Sequence, residues 1–369
     1  MRKKNKILFI LHVPPPVHGS SMVGEYIRNS EKVNAVFVTR YINLGTSYSI
    51  DEIGKSGVKK IFRYLNILLQ VFKHLLIFKP NLCYFAICAK GPAFYKDALI
   101  ALIIKSLGFK IIYHFHNKGV AVNQEKKFDD FLYTRVFKNS HAILLSQHLY
   151  YDIKKYFPVQ KIFYCPNGIP ELETDLKVRP KYKSPPVQLL FLSNLIESKG
   201  VFILLDALKI LRERDKNFKC AFVGGEGDVT EYHFNKYVEK LELLDYVQYL
   251  GKRYGLDKSK IFLSADVFIF PTFYHNETFG LVNLEAMQYA LPVISTPEGG
   301  IPDVIEDGET GFLVPQKDAK ALADKIELLI EDSILRVAMG IKGRRKYEKK
   351  FTLEIFEFRL VEILSKVTS

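Results

Sequence analysis

In the stretch ADVFIFPTFYHNETFGLVNLEAMQYALPVISTPEGGIPDVIEDGETGFLVP, residues 265–315, short apolar runs alternate with loops at the spacing of strands and helices. Val267 to Phe270 is a β-branched and aromatic run stopped by Pro271, as expected of a buried parallel strand. Thr278 is placed to cap a helix over 279–290, Pro292 ends it, and Val293 to Ser295 reads as the next strand. The glycines of the turn 297–300 free the backbone to approach a ligand. Glu277 stands just before the predicted helix and Glu285 within it. A strand running into a helix N-terminus makes an anion cradle, because free N–H groups and the helix dipole point the same way. Carboxylates beside such a cradle suit the hydroxyls of a sugar or ribose attached to the anion. A lone Glu reads more simply as part of a solvated face; loop, spacing and Gly-rich turn together favour the site.

The same alternation runs outward in both directions. From the N-terminus, strands are expected at 7–13, 33–39, 82–87, 110–116, 142–145 and 162–165. Helices are expected between them at 21–29, 59–78, 96–107, 129–137 and 147–156. Residues 171–186, ELETDLKVRPKYKSPP, are polar, carry prolines and lack periodicity, which marks an interdomain linker. The alternation restarts with strands at 188–192, 218–223 and 247–250, and amphipathic helices close the chain at 317–329, 333–349 and 352–366. The expected fold class is α/β: two facing Rossmann-like domains with parallel sheets and a cleft between them. Their expected extents are 1–180 and 185–350, with the helix at 352–369 packing back onto the first domain. In such sheets ligands sit beyond the carboxyl ends of the strands. Loop residues His18, Gly19 and Ser20, then His116 and Asn117, then Asn167 occupy such ends in the first half. His116 reads equally well as a hydrogen-bonded rim histidine.

Of the 369 residues 48% are hydrophobic and 25% charged, an ordinary composition for a soluble globular chain. The net charge of +13 is uneven: residues 1–186 carry 29 Lys and Arg against 12 Asp and Glu, and residues 187–369 carry 24 against 28. A basic first half implies an anionic partner, a membrane surface before nucleic acid, since no nucleic-acid motif or basic–aromatic interleaving is present. Helix 59–78, basic at Lys59, Lys60, Arg63 and Lys73, is the candidate for docking on an anionic leaflet. Charged residues interrupt it as a membrane span. The basic and apolar N-terminus, MRKKNKILFILHVPPP, reads as a first strand rather than a signal peptide. Cys83, Cys88, Cys165 and Cys220 form no C-x-x-C pair and read as small hydrophobes in a reducing, cytoplasmic setting.

The second half resembles the nucleotide-sugar-binding domain of the large retaining glycosyltransferase family (family 4-like) whose members share an E-x7-E motif and a B-type architecture of two Rossmann domains. Glu277 and Glu285 with Phe279-Gly280 between them match the motif. Lys199-Gly200, the glycine loop Gly224 to Gly227, and the run PVISTPEGGIPDVIEDGETGFLV match neighbouring features. Arg336, Met339, Gly340, Gly343, Arg344 and Phe351 match the tail. Gly19, His116-Asn117 and the run Pro166-Asn167-Gly168 match more loosely. Three departures stand out: Asn194 where the family usually has Arg, Asp303 where it often has Glu, and Gly19-Ser20 in place of a glycine pair. The resemblance implies transfer from a nucleotide diphosphate sugar to a glycan or lipid-linked acceptor, with retention, and with no cofactor or metal, as no D-x-D motif is present. It implies that Lys199 contacts the diphosphate, that Glu285 holds the ribose, and that Glu277 holds the donor sugar. Asn194, Gly225, Lys252, Phe279 and Gly280 would complete the donor site, and His116 would touch sugar or acceptor. The loss of the usual Arg at Asn194 also admits a non-catalytic nucleotide-sugar-binding subunit.

Overall fold

The computed structural model describes residues 4–45, 57–171 and 186–369. It divides into two units, one formed by Met1–Asn167 with Leu353–Ser369 and the other by Gly168–Thr352. The predicted linker lies, apart from Glu171 and Pro186, outside the described residues.

The apolar runs of the first unit become strands β1 (Lys6–Leu11), β2 (Val38–Asn43), β3 (Leu82–Phe85), β4 (Ile111–Phe115), β5 (His141–Leu144) and β6 (Ile162–Tyr164). They pair in the order β2-β1-β3-β4-β5-β6, all parallel. Strands β1, β3 and β4 are buried nearly throughout, which is why they read as continuous apolar runs rather than alternating ones. Three successive crossovers advance across the sheet in one direction: β2 to β3, β3 to β4 and β4 to β5. Right-handed connections place their helices, Val58–Lys73, Gly91–Ser106 and Lys127–Phe137, side by side on one face. The Tyr64 hydroxyl donates to the Lys96 carbonyl at 2.7 Å, and the Tyr95 and Phe128 rings meet at 5.9 Å, which ties the layer together.

In the second unit β7 (Val187–Leu192), β8 (Phe218–Val223), β9 (Val247–Tyr249), β10 (Val267–Phe270), β11 (Val293–Ser295) and β12 (Gly311–Leu313) pair in the order β12-β11-β10-β7-β8-β9, again all parallel. The chain leaves β7 toward one edge and β10 toward the other, so the order reverses between these two strands. A crevice opens there beyond their carboxyl ends. The last helix, Leu353–Thr368, belongs with the first unit, where Glu354 pairs with Lys32 at 2.5 Å. Residues 168–171 are held to the second unit: Ile169 bridges Thr352, and Gln288 Nε2 donates to the Pro170 carbonyl at 2.7 Å.

Local expectations fail where a cap decides. Residues 33–39, expected as one strand, are divided between the helix Glu31–Val36 and the start of β2. Ser30 Oγ accepts the Val33 N–H at 3.1 Å and starts that helix. The helix expected over 279–290 begins instead at Leu281 and ends at Gln288, and Gly280, not Thr278, is its cap residue. Residues 147–156 form a 3-10 turn, Gln147–Leu149, followed by a single helical turn, Tyr150–Ile153.

Candidate active site

Two loops meet at the crevice of the second sheet. After β7, residues 193–200 end in Gly200, whose φ of +90° is left-handed. A Cβ there would lie 2.3 Å from the Pro271 carbonyl oxygen, so only glycine lets this loop reach the one after β10. Phe273 N–H donates to the Ser198 carbonyl at 2.8 Å and joins the two loops. Lys199 Nζ then lies 2.5 Å from Glu277 Oε2, with side-chain exposures of 15% and 13%. The same ammonium sits over the Tyr274 ring at 4.3 Å. Glu277 Oε1 accepts the Gly280 N–H at 3.0 Å, so the carboxylate occupies an amide that the predicted anion cradle would have offered. It also fixes the start of the helix Leu281–Gln288, where Gly280 is left-handed at φ +68°.

The Gly-rich turn after β11 has a different partner from the one expected. Gly300 N–H donates to the Thr278 carbonyl at 2.8 Å, and a Cβ on Gly299 would strike the Glu277 carbonyl oxygen at 2.5 Å. These glycines approach protein backbone, and they set the height of the Glu277 loop. Phe279 is buried against Phe351, with ring centroids 6.0 Å apart, and contributes packing.

Beyond β8 the Gly224-Gly225 turn closes on the loop after β7. Asn194 Oδ1 accepts the Gly225 N–H at 3.1 Å, and Leu195 N–H donates to the Gly225 carbonyl at 2.7 Å. Asn194 thus latches two loops together through its amide. The pocket beside it, of about 130 Å³, is lined by Ser193, Asn194, Gly225, Lys252, Tyr254 and Lys258 among others. Lys258 also comes within 2.6 Å of Glu285 Oε2, as an ion pair by distance rather than an aligned hydrogen bond. Each motif carboxylate is therefore matched by its own lysine: Glu277 by Lys199, and Glu285 by Lys258. Lys258, Tyr254 and Tyr274 were not foreseen. The lysine reads as a surface residue of a short helix, and nothing in its spacing announces the partner 27 positions on.

The first unit holds a second cluster, at the carboxyl ends of β1 and β4. His18 caps the helix Gly19–Asn29, its Nδ1 accepting the Ser21 N–H at 3.3 Å and meeting Ser20 Oγ at 3.0 Å. The His12 and His18 rings are 6.1 Å apart, and those of His114 and His116 4.1 Å. Asn117 Oδ1 accepts the Ala89 N–H at 2.8 Å, and Asn167 is buried with no partner for its Oδ1 among the described residues. Burial pushes the His116 imidazole down to about 3, with His12 and His18 adding to the shift. Burial, then His18 and Lys96, push His12 down to about 4. Both rings are neutral at pH 7, suited to hydrogen-bonding a hydroxyl rather than pairing with an anion. Among the described residues no three His, Cys, Asp or Glu side chains are grouped to hold a metal ion.

These histidines make the first unit acid-sensitive. The unfolded chain protonates near 6.5 while the folded rings stay neutral to about 3 or 4, so stability is lost as pH falls through that window. Asp97, pushed up to about 7 by burial, opposes this, because the folded carboxyl keeps its proton between about 4 and 7. Burial also lowers His18, His74, His114 and His141 and raises Glu357. The histidines outnumber the two carboxyls, so urea midpoints should fall between pH 7 and pH 5, and His116→Asn should shrink the drop.

Residues 173–346, which lie within the second unit, match the family described as glycosyl transferases group 1. Over 170 residues the chain is 34% identical to the capsular polysaccharide biosynthesis glycosyltransferase CapM of Staphylococcus aureus, covering 45% of this chain and 42% of that protein. Over 273 residues it is 28% identical to the amylovoran biosynthesis glycosyltransferase AmsK of Erwinia amylovora, covering 72% and 66%. The matches thus span under half of one relative's length and just under two thirds of the other's. Among solved structures, Anabaena HepE in complex with UDP-glucose is similar at a TM-score of 0.70 and 18% identity, over 98% of this chain and 100% of that one. The α/β architecture, with two six-stranded parallel sheets, is that of the two-domain B-type glycosyltransferases.

Proposed function

We propose that this protein is a retaining, metal-independent glycosyltransferase. It moves a sugar from a nucleoside diphosphate sugar to a glycan or lipid-linked acceptor in cell-surface polysaccharide or glycolipid synthesis. The observation that carries the reading is the Lys199–Glu277 pair at the crevice between β7 and β10. A cation and a carboxylate held together there fit a donor whose diphosphate is anionic and whose sugar bears hydroxyls. CapM and AmsK are named for polysaccharide biosynthesis, and HepE is described with UDP-glucose, which supports the class of donor and product.

In this mechanism the bond between the anomeric carbon and the diphosphate oxygen breaks, and its electron pair leaves with the phosphate. Lys199 stabilises that developing charge. Glu277 binds donor-sugar hydroxyls and offsets positive charge at the ring. The acceptor oxygen bonds to the same face of the anomeric carbon, and its proton passes to the departing phosphate. Glu285 accepts from the ribose hydroxyls, and the Gly225 pocket with Asn194 and Lys252 takes the nucleoside. His116 hydrogen-bonds a sugar or acceptor hydroxyl. The reaction takes place in the cytoplasm, where the four free cysteines stay reduced.

Asn194 supports a second reading, a subunit that binds nucleotide sugar without transfer, because its amide latches Gly225 where a cation was expected. One assay separates them. The full-length chain is incubated with UDP-, GDP-, ADP- and dTDP-sugars and glycan or polyprenyl-phosphate acceptors, and nucleoside diphosphate release and product anomeric configuration are read. Acceptor-dependent release with retention supports transfer. Binding without release favours the subunit, and an inverted product overturns the mechanism.

A further inference from the structure

The helix layer of the first unit has an apolar surface left over after its core is formed. In the segment Val58–Phe78, Ile67, Val71, Leu75 and Phe78 face inward and are buried. On the adjoining, outward side Ile61, Phe62, Leu65, Leu69, Phe72 and Leu76 recur at helical spacing and stay exposed, Phe62 and Leu69 at 68% each. This segment is the one helix among the described residues long and apolar enough to span a bilayer, yet only 22% of it is buried inside the fold. It does not thread a membrane, because its inner side packs on the sheet and the chain enters buried β3 four residues later. The adjoining helices continue the surface with Tyr95 and Leu99, then Phe128 and Phe131, all exposed.

We propose that this three-helix face is a docking surface for an anionic lipid bilayer. Charge selects that occupant. Residues 57–96 contain seven Lys and Arg and no Asp or Glu, and Lys59 and Lys73 flank the apolar stripe along one edge. Apolar side chains enter the acyl boundary while the lysines reach the headgroups. Helices in a parallel α/β unit run antiparallel to the strands, so Phe62, Tyr95 and Phe128 lie toward the strand ends that carry His12 and His116. A docked unit would present those ends close to lipid, which fits a lipid-linked acceptor. That last link rests on the transfer reading; the docking itself does not.

The test is co-sedimentation of the full-length chain, without donor, with vesicles of phosphatidylcholine alone or mixed with phosphatidylglycerol. Binding to the anionic vesicles should exceed binding to neutral ones by at least about tenfold and weaken with salt. Phe62→Ser with Leu69→Ser should lower it by about tenfold or more, as should Lys59→Glu with Lys73→Glu. Ile334→Ser, on an exposed position of the second unit, should change nothing. Melting temperatures of all variants check the fold. The proposal is overturned by no binding to anionic vesicles, or by equal binding of the stripe variants. It is equally overturned by a dimer on gel filtration that Phe62→Ser dissociates, since a second copy would then cover the face. Each result is independent of whether any donor is turned over.

Discussion

Lys199→Ala is expected to lower transfer by about 10²- to 10³-fold, chiefly in kcat, because the leaving diphosphate would lose the cation nearest its developing charge. The variant also leaves Glu277 without its partner in a site where both side chains are mostly buried. Truncating one member of such a pair is more disruptive than the net value of the pair, since the remaining charge stays desolvated. Lys199→Arg keeps the charge but not the shape, and the ammonium sits over Tyr274 in a space built for a compact head. Partial recovery in Arg and none in Met would show that charge, not packing over the aromatic ring, is what the reaction uses. Steady-state kinetics on the donor found in the panel assay measures this. Full activity in Lys199→Ala contradicts the assignment.

Glu277→Gln should separate binding from chemistry. The amide keeps an oxygen to accept the Gly280 N–H, so the start of the helix Leu281–Gln288 is preserved. What disappears is the negative charge facing Lys199. Transfer should fall by about 10²-fold or more, while affinity for the free nucleoside diphosphate, which lacks the transferred sugar, stays the same or tightens. A parallel loss in nucleoside diphosphate affinity would mean that Glu277 shapes the pocket rather than acting on the sugar. Glu277→Ala is the harsher change, because it also frees the Gly280 N–H.

Much of this site was legible because chemistry and backbone signals coincide. An apolar run stopped by Pro271 located β10, the helix break at Pro292 located the start of β11, and the spacing of Glu277 and Glu285 singled out the segment between these strands. What escaped was information carried by partners far away in the chain. The Lys258–Glu285 pair is invisible in either local pattern. Asn194 read as a lost cation, and only its hydrogen bond to Gly225 shows it as a latch. The glycines at 299 and 300 announced a close approach correctly but not to what, and their neighbour is the backbone of Glu277 and Thr278. The helix at 31–36 was missed because a single capping serine outweighed a β-branched run. In the helix layer of the first unit periodicity located the helix Val58–Phe78, but its apolar arc is wider than the fold covers, and only the fold tells the covered part from the bare one.

The central claim is that the pocket beside Gly225 holds the nucleoside end of the donor. A Cβ at Gly225 would come within 2.1 Å of Lys252 Cε, the mobile end of a side chain, so Gly225→Val fills the pocket while the fold can yield by moving one lysine. Calorimetric titration of UDP, GDP and ADP into the full-length chain and into Gly225→Val tests this directly. The prediction is saturable binding of at least one of the three to the natural chain, weakened about tenfold or more in the variant at an unchanged melting temperature. Equal binding in both proteins, or no binding of any of the three, contradicts it.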